Sequence, residues 1–271
     1  MKIAQGAAND CARSWLGFHE YPDPDLYALF AAWDATNLYL MVEIPNLDDA
    51  STIDNDKCYA GSQFLPMGWA INTGKRKAGN GLMAAGNSVW QNSPMYKFSN
   101  EGIDTLIMHH PRLNVGTPGF FTTDANGYFS YAAANCLSFA TAGITRNVYF
   151  NQSVSANMWA GVTASGDLGG KVSTDVNSYT YVDQKAAGKK MTSYQITIPL
   201  ATLGIDKAYL ESTGIGVMVF STYGSSTMDC LPWDPSMIDN ASKPYSSDSS
   251  TSKEKEDLDE ITAPLARIGK K

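Results

Sequence analysis

Single apolar and polar side chains alternate along much of this chain, most clearly in the stretch 191–204. There Thr192, Tyr194, Ile196 and Ile198 fall on one side of an extended backbone, and Ser193, Gln195 and Thr197 on the other. A period of two is the signature of a half-buried strand. Pro199 lacks the N–H that a sheet ladder needs, so the strand ends there. Leu200 and Leu203 then form a short turn that Gly204 closes. Residues 29–33, the turn Asp34-Ala35-Thr36-Asn37 and residues 38–44 read as a hairpin. In its second arm Leu38, Leu40, Val42 and Ile44 face one way, and Tyr39, Met41 and Glu43 the other. Asp and Asn tolerate the left-handed backbone of such turns. Met67, Trp69 and Ile71 alternate with Gly68, Ala70 and Asn72, which gives a further strand. Residues 104–110 form a strand that Pro111 ends. Residues 120–123 and 128–133, joined by Asp124-Ala125-Asn126-Gly127, form a second hairpin with Asn-Gly as its signal. The stretches 146–151, 157–163, 178–183 and 215–221 are further strands.

The connections are long. Residues 15–25 read as an irregular loop, and 46–63 is polar and acidic. Residues 73–89 are rich in Gly, Asn and Lys, and 90–94 continue them without periodicity. Long ordered loops in compact domains often carry function. Residues 240–257 are Ser-, Lys- and Glu-rich and read as a solvated loop, after which 262–269 returns to strand-like composition. A closing strand after so polar a loop predicts that the N- and C-terminal parts share one sheet. Neither an internal repeat nor a linker divides the chain, so 1–271 reads as a single domain. Roughly ten antiparallel strands and almost no amphipathic helix predict an all-β fold. The expected architecture is one large, jelly-roll-like β-sandwich with long ordered loops.

Composition narrows the partners. Apolar residues make up 44% of the 271, enough for a sizeable core, and charged residues 17%. A net charge of −7 argues against nucleic acid or an anionic membrane, both of which want a basic surface. No apolar run approaches the about 20 residues of a membrane span. Met1-Lys2-Ile3 leads straight into small polar residues, unlike a secretory leader. Such a start reads as a domain excised from a longer protein, which can itself be secreted. Cys11, Cys58, Cys136 and Cys230 are far apart with no C-x-x-C, which argues against zinc. Disulfides and buried free thiols both remain open, and the sequence does not choose a pairing.

Particular segments carry a family resemblance. Ala32-Trp-Asp-Ala-Thr-Asn-Leu-Tyr-Leu-Met-Val-Glu43 and Tyr194-Gln-Ile-Thr-Ile-Pro-Leu-Ala-Thr-Leu-Gly204 resemble the sandwich shared by family 9 carbohydrate-binding modules and DOMON domains. Gly214-Ile-Gly-Val-Met-Val-Phe-Ser-Thr-Tyr-Gly224, Met228-Asp-Cys-Leu-Pro-Trp-Asp234 and Glu260-Ile-Thr-Ala-Pro-Leu-Ala-Arg-Ile-Gly269 resemble carbohydrate-binding module family 74. The similarity covers essentially the whole chain. It implies a large, non-catalytic starch-binding module of extracellular amylases and starch-adherence proteins of gut bacteria. It also implies a long groove for α-glucan and bound calcium. The module would be monomeric within a multidomain chain and sit outside the cell or on its surface.

The site residues come from chemistry rather than from that resemblance. A pyranose has an apolar C–H face that stacks on an exposed aromatic ring, and hydroxyls that need amide, carboxylate or backbone partners. Trp90 lies among the amides Asn87, Gln91 and Asn92, in a stretch without periodicity, with Tyr96 nearby. The bland alternative is a loop ring folded back onto the core. Trp159 takes the polar side of its strand with Asn157 and Thr163. Trp233 sits in Cys-Leu-Pro-Trp-Asp-Pro, a rigid turn that suits recognition because little entropy is lost on binding. Phe64 and His19 are weaker candidates in polar loops. Trp69, Trp33 and Trp15 read as core. His109 and His110 end a strand facing opposite ways, so they read as structural.

Calcium wants several oxygen ligands from a loop. None of the acidic clusters has EF-hand spacing. Asp257 and Asp259, just before the final strand, are the first choice for calcium, and Asp229 and Asp234 the second. Three other functions stay open, one of them a protein-binding adhesion module, which predicts a large apolar surface patch rather than separate rings flanked by amides. A glycosidase needs paired carboxylates that spacing alone does not reveal, though no nucleophile elbow, phosphate loop or zinc motif is present. Some DOMON domains carry electrons on haem held by Met and His. The chain has 11 Met and 3 His, but no Cys-x-x-Cys-His attachment motif.

Overall fold

The computed structural model describes residues 1–6, 26, 28–45, 67–86, 89, 96–109, 119–149, 191–223, 226–234 and 259–270. In chain order the first strands are β1 (Lys2–Gln5), β2 (Ala28–Trp33), β3 (Asn37–Pro45), β4 (Met67–Asn72), β5 (Tyr96–Phe98), β6 (Thr105–His109) and β7 (Gly119–Thr122). After them come β8 (Cys136–Ser138), helix α1 (Phe139–Ala142), β9 (Thr145–Tyr149), β10 (Met191–Pro199), α2 (Leu200–Leu203) and α3 (Lys207–Ser212). The chain closes with β11 (Ile215–Tyr223), β12 (Ser226–Leu231), β13 (Asp259–Ile261) and β14 (Ala266–Ile268). The fold is all-β and sandwich-like, as the alternation predicts, with more strands than expected. None of the described helices is long and apolar enough to cross a membrane.

One sheet has five strands in the order β1-β2-β3-β10-β9, all antiparallel. Its centre is the pair β3–β10, aligned from Asn37↔Pro199 to Pro45↔Met191. Leu38, Leu40, Val42, Tyr194, Ile196 and Ile198 are buried on one face, as predicted. The Asp34 carboxylate organises the β2–β3 turn. Its Oδ1 accepts from Thr36 N at 2.7 Å and Asn37 N at 2.8 Å, and its Oδ2 from the Tyr39 hydroxyl at 2.6 Å. Pro199 ends β10 as expected, and α2 closes at Gly204 in the left-handed region with φ +75, where a side chain would be strained.

The second sheet runs β12-β11-β4-β6-β7-β8, with β14 following β12 along the same edge of β11. It packs on the first through a core that includes Trp69, Ile71, Ile107, Val217 and Val219 from its own strands. Its other face is buried too. Ala70, Leu106, Met108, Phe121, Met218 and Phe220 point into a second core. That core is roofed by Tyr96 and Phe98 of β5, Ile261 of β13, Leu265 and Phe129. Strands β5 and β13 pair in parallel as a small third layer. Gly68 serves this second core: a Cβ there would stand 2.0 Å from Phe220 Cζ.

Two expectations are corrected. The turn at Asp124–Gly127 is present, with Asp124 N donating to Tyr128 O at 2.9 Å. Residues 128–133, however, form no strand. β7 pairs instead with β8, whose Cys136 lies opposite Phe121. The closing strand does not join the N-terminal sheet either: β14 pairs β11, whereas β1 pairs β2 in the other sheet. The predicted strands 157–163 and 178–183 lie outside the described residues.

Candidate functional site

The large apolar side chains left exposed among the described residues are Met1 and three aromatics: Tyr128, Tyr131 and Trp233. Trp233 follows β12, at one edge of the seven-stranded sheet. Two residues before it Leu231 lies in the inter-sheet core, Pro232 is half-buried, and Asp234 directly after it is fully buried, while Trp233 is 40% exposed. The Asp234 carboxylate bridges to the segment between β13 and β14. It accepts from the backbone N–H of Thr262, from Ala263 N at 2.8 Å and from Thr262 Oγ1 at 3.1 Å. A part-exposed tryptophan beside an anchored residue has little conformational freedom left to lose.

Tyr128 and Tyr131 lie between β7 and β8, towards the opposite edge of the same sheet. They are 41% and 61% exposed. Asp124 Oδ1 accepts from Asn126 N at 2.8 Å and Tyr128 N at 2.9 Å, and Phe129 is buried in the second core. These bonds to backbone N–H groups, that of Tyr128 first, hold the Asp124 carboxyl below its usual range. Tyr131 packs edge-on against buried Phe121, with centroids 5.7 Å apart. Partial burial pushes the Tyr131 phenol up. Sequence reading missed both tyrosines because they sat in an expected hairpin arm. Their signal was the Tyr-Phe-Ser-Tyr run directly after Asn-Gly, in which Phe129 is the one ring taken by the core.

The remaining site residues divide sharply. Trp90, Trp159, Phe64, His19, Asn87, Gln91, Asn92 and Asp257 lie outside the described residues, as does the side chain of Asp259. Tyr96 is a correction. It is fully buried, 4.7 Å from Phe220 and 6.0 Å from Phe98 between ring centroids, and offers no open face. Its strand pairs with β13, which turns the ring into the roof of the second core. Trp69 is core, and Trp33 packs half-buried at the core margin. Cys136 is a half-buried thiol and the buried Cys230 Sγ donates to Pro232 O at 3.1 Å, with Cys11 and Cys58 outside the described residues.

Asp229 and Asp234 do not suit calcium. Both are buried, and backbone N–H groups already point at their oxygens: Leu26 N at 2.6 Å and Cys230 N at 2.7 Å on Asp229, Thr262 and Ala263 on Asp234. A carboxylate ringed by donors is satisfied as an anion, and those hydrogens would face the cation. No cluster of three or more His, Cys, Asp or Glu able to hold a metal occurs among the described residues.

The other displaced carboxyls are exposed. Tyr39, then the backbone of Thr36 and Asn37, hold the Asp34 carboxyl well below the ordinary value of 3.8, and that bond pushes the Tyr39 phenol up. Lys97, 2.7 Å from Glu260, holds that carboxyl down. A depressed Asp favours the folded hairpin above the ordinary Asp range, and this support fades as pH falls through the folded value. A carbon-13 titration is expected to place the Asp34 midpoint well below 3.8. A midpoint at or above that value refutes the turn geometry.

No family model matches this chain, and the comparison with curated proteins finds no match.

Proposed function

We propose that this chain is a non-catalytic module that binds α-glucan, as the extracellular part of a larger starch-degrading or starch-adhering protein. One observation carries the reading: Trp233 is 40% exposed although it directly precedes the fully buried Asp234, whose carboxylate anchors the turn. An apolar ring held out of the core at that cost in exposed surface suits the C–H face of a sugar. Tyr131, more exposed still, offers a second ring of the same kind. Calcium, in this reading, falls to the stretch around Asp257 and Asp259.

The alternatives draw less support. A glycosidase acid needs a raised pKa, whereas Asp34, Asp124 and Glu260 are all held low. A haem ligand needs a histidine nitrogen to spare. Among the described residues the histidine is His109, which is buried and whose Nε2 accepts from Trp69 Nε1 at 2.7 Å, while His19 and His110 lie outside them.

The test is a pull-down on insoluble starch, cellulose and xylan, with calorimetric titration of maltooligosaccharides. Binding to starch alone, without release of reducing sugar, is the expected result. Trp233→Ala is expected to weaken binding by about 1–3 kcal/mol, the scale of one stacked ring, with an unchanged thermal midpoint. Unaltered affinity in that variant removes Trp233 from the site.

A further inference from the structure

The two sheets treat their outer faces differently. The seven-stranded sheet hides its outer face under β5, β13 and the second core. The outer face of the five-stranded sheet shows the opposite pattern among the described residues. Ala32, Thr145 and Asn147 are exposed, and Phe30, Tyr39, Met41, Gln195 and Thr197 are half-buried.

Strand register arranges these side chains in rows. Phe30 lies opposite Met41, Met41 opposite Gln195, and Gln195 opposite Asn147. In the next row Ala32, Tyr39, Thr197 and Thr145 are aligned in the same way. Directly opposed residues share a face, and neighbouring strands stand about 4.8 Å apart. Apolar and aromatic groups therefore occupy β2 and β3, with amides and hydroxyls one strand over on β10 and β9. Gln195 Nε2 donates to Thr197 Oγ1 at 3.3 Å, which links the two rows along β10.

We propose that this face is a second α-glucan-binding surface, separate from the rings at Trp233 and Tyr131. The proposal rests on the glucan-binding reading above and extends it to the other sheet. A sugar lying across the rows would place its C–H face on Tyr39 or Met41 of β3. From Tyr39 and Met41 its hydroxyls would reach Thr197 or Gln195 one strand spacing away on β10, and a longer chain would reach Asn147 two spacings away on β9. The pattern suits a polyol as occupant, since its apolar ring face matches the one column and its hydroxyls the other. Charged groups at this face are few and of mixed sign: Lys2 opposite Phe30 at the β1 edge, Glu43 two residues from Met41 on β3, and the Asp34 carboxylate that accepts from the Tyr39 hydroxyl. A second copy of the protein is a poorer fit. It would have to desolvate the amide and hydroxyl half without matching apolar gain.

The test titrates wild-type protein with maltoheptaose and follows the side-chain amide signals of Gln195 and Asn147 by nitrogen-15 NMR. Calorimetry compares wild type, Trp233→Ala and the double variant Gln195→Ala/Asn147→Ala. These two positions lie off the core, so thermal midpoints should agree. The expected result is a shift of both amide signals and a roughly five-fold loss of affinity in the double variant, the scale of one or two hydrogen bonds. Starch binding that weakens in Trp233→Ala, with the amide signals still and the double variant like wild type, overturns this face and leaves the module reading intact. Signals that move with protein concentration rather than with maltoheptaose assign the face to self-association, which also overturns the proposal. A wild type that binds no glucan removes both.

Discussion

Trp69→Ala is expected to destabilise the protein by about 4–5 kcal/mol, the largest effect of any substitution considered. Trp69 is fully buried between the two sheets. Removing a buried tryptophan leaves a cavity that a rigid sheet fills poorly, and this alone costs about 3–5 kcal/mol. The indole also has a partner to lose. Its Nε1 donates to His109 Nε2 at 2.7 Å, and the His109 ring stacks on Tyr194 at 4.9 Å and meets Phe139 edge-on at 6.0 Å. The bond fixes the imidazole in a neutral, acceptor-bearing form inside the core. Tyr194 is kept neutral beside it, its phenol pushed up to about 12 by burial. The variant therefore loses packing on one side of His109 and leaves a buried acceptor without its donor. Trp69→Phe separates the two contributions: most of the volume stays and the donor goes, for about 1–3 kcal/mol. Urea unfolding at neutral pH measures both. A loss below about 2 kcal/mol in Trp69→Ala would mean that the inter-sheet core closes over the gap, against the packing argument. Native domains hold only about 5–15 kcal/mol in total, so this variant stands near the edge of folding.

What the sequence made legible follows from how each sheet is buried. β3 and β10 were plain because one face is core and the other half open, which writes a clean period of two. β4 belongs to a sheet covered on both sides, where the alternation encodes size rather than polarity. Gly68 and Ala70 are small because rings such as Phe220 lie over that face. The sequence shows that alternation but not what covers the small side. The Asn-Gly turn was real, but a turn fixes only its own backbone. Which strand β7 takes as partner is decided by Cys136–Ser138 further along. Tyr96 was misplaced for a related reason. Its polar, amide-rich neighbourhood suggests a surface loop, and its burial depends on β13, a partner near the far end of the chain. Trp233 was recoverable because prolines on both sides advertise a fixed turn, whereas Tyr128 and Tyr131 carried no such local mark.

Asp234→Ala is expected to cost about 2–4 kcal/mol of stability and to weaken glucan binding as well, although the carboxylate itself is fully buried. The reason is that Asp234 ties two distant segments together. Its oxygens accept from the N–H groups of Thr262 and Ala263 and from the Thr262 hydroxyl, which fixes the link from β13 to β14 against the end of β12. Alanine removes the acceptors, and two backbone donors must turn to water or go unsatisfied. Asp234→Asn keeps one acceptor oxygen and is expected to lose about half as much. Hydrogen exchange at Thr262 and Ala263 should rise in both variants, more in the alanine one. Stability within about 0.5 kcal/mol of wild type in Asp234→Ala would show that the anchor contributes nothing. The same pair of variants separates anchor from metal ligand. An aspartate that holds calcium makes the thermal midpoint depend on chelator, and that dependence should vanish in Asp234→Asn. An aspartate that holds N–H groups lowers the midpoint equally with and without chelator. The second outcome is expected, because donors already point at both oxygens, and an ion drawn to them would meet hydrogens before it met lone pairs.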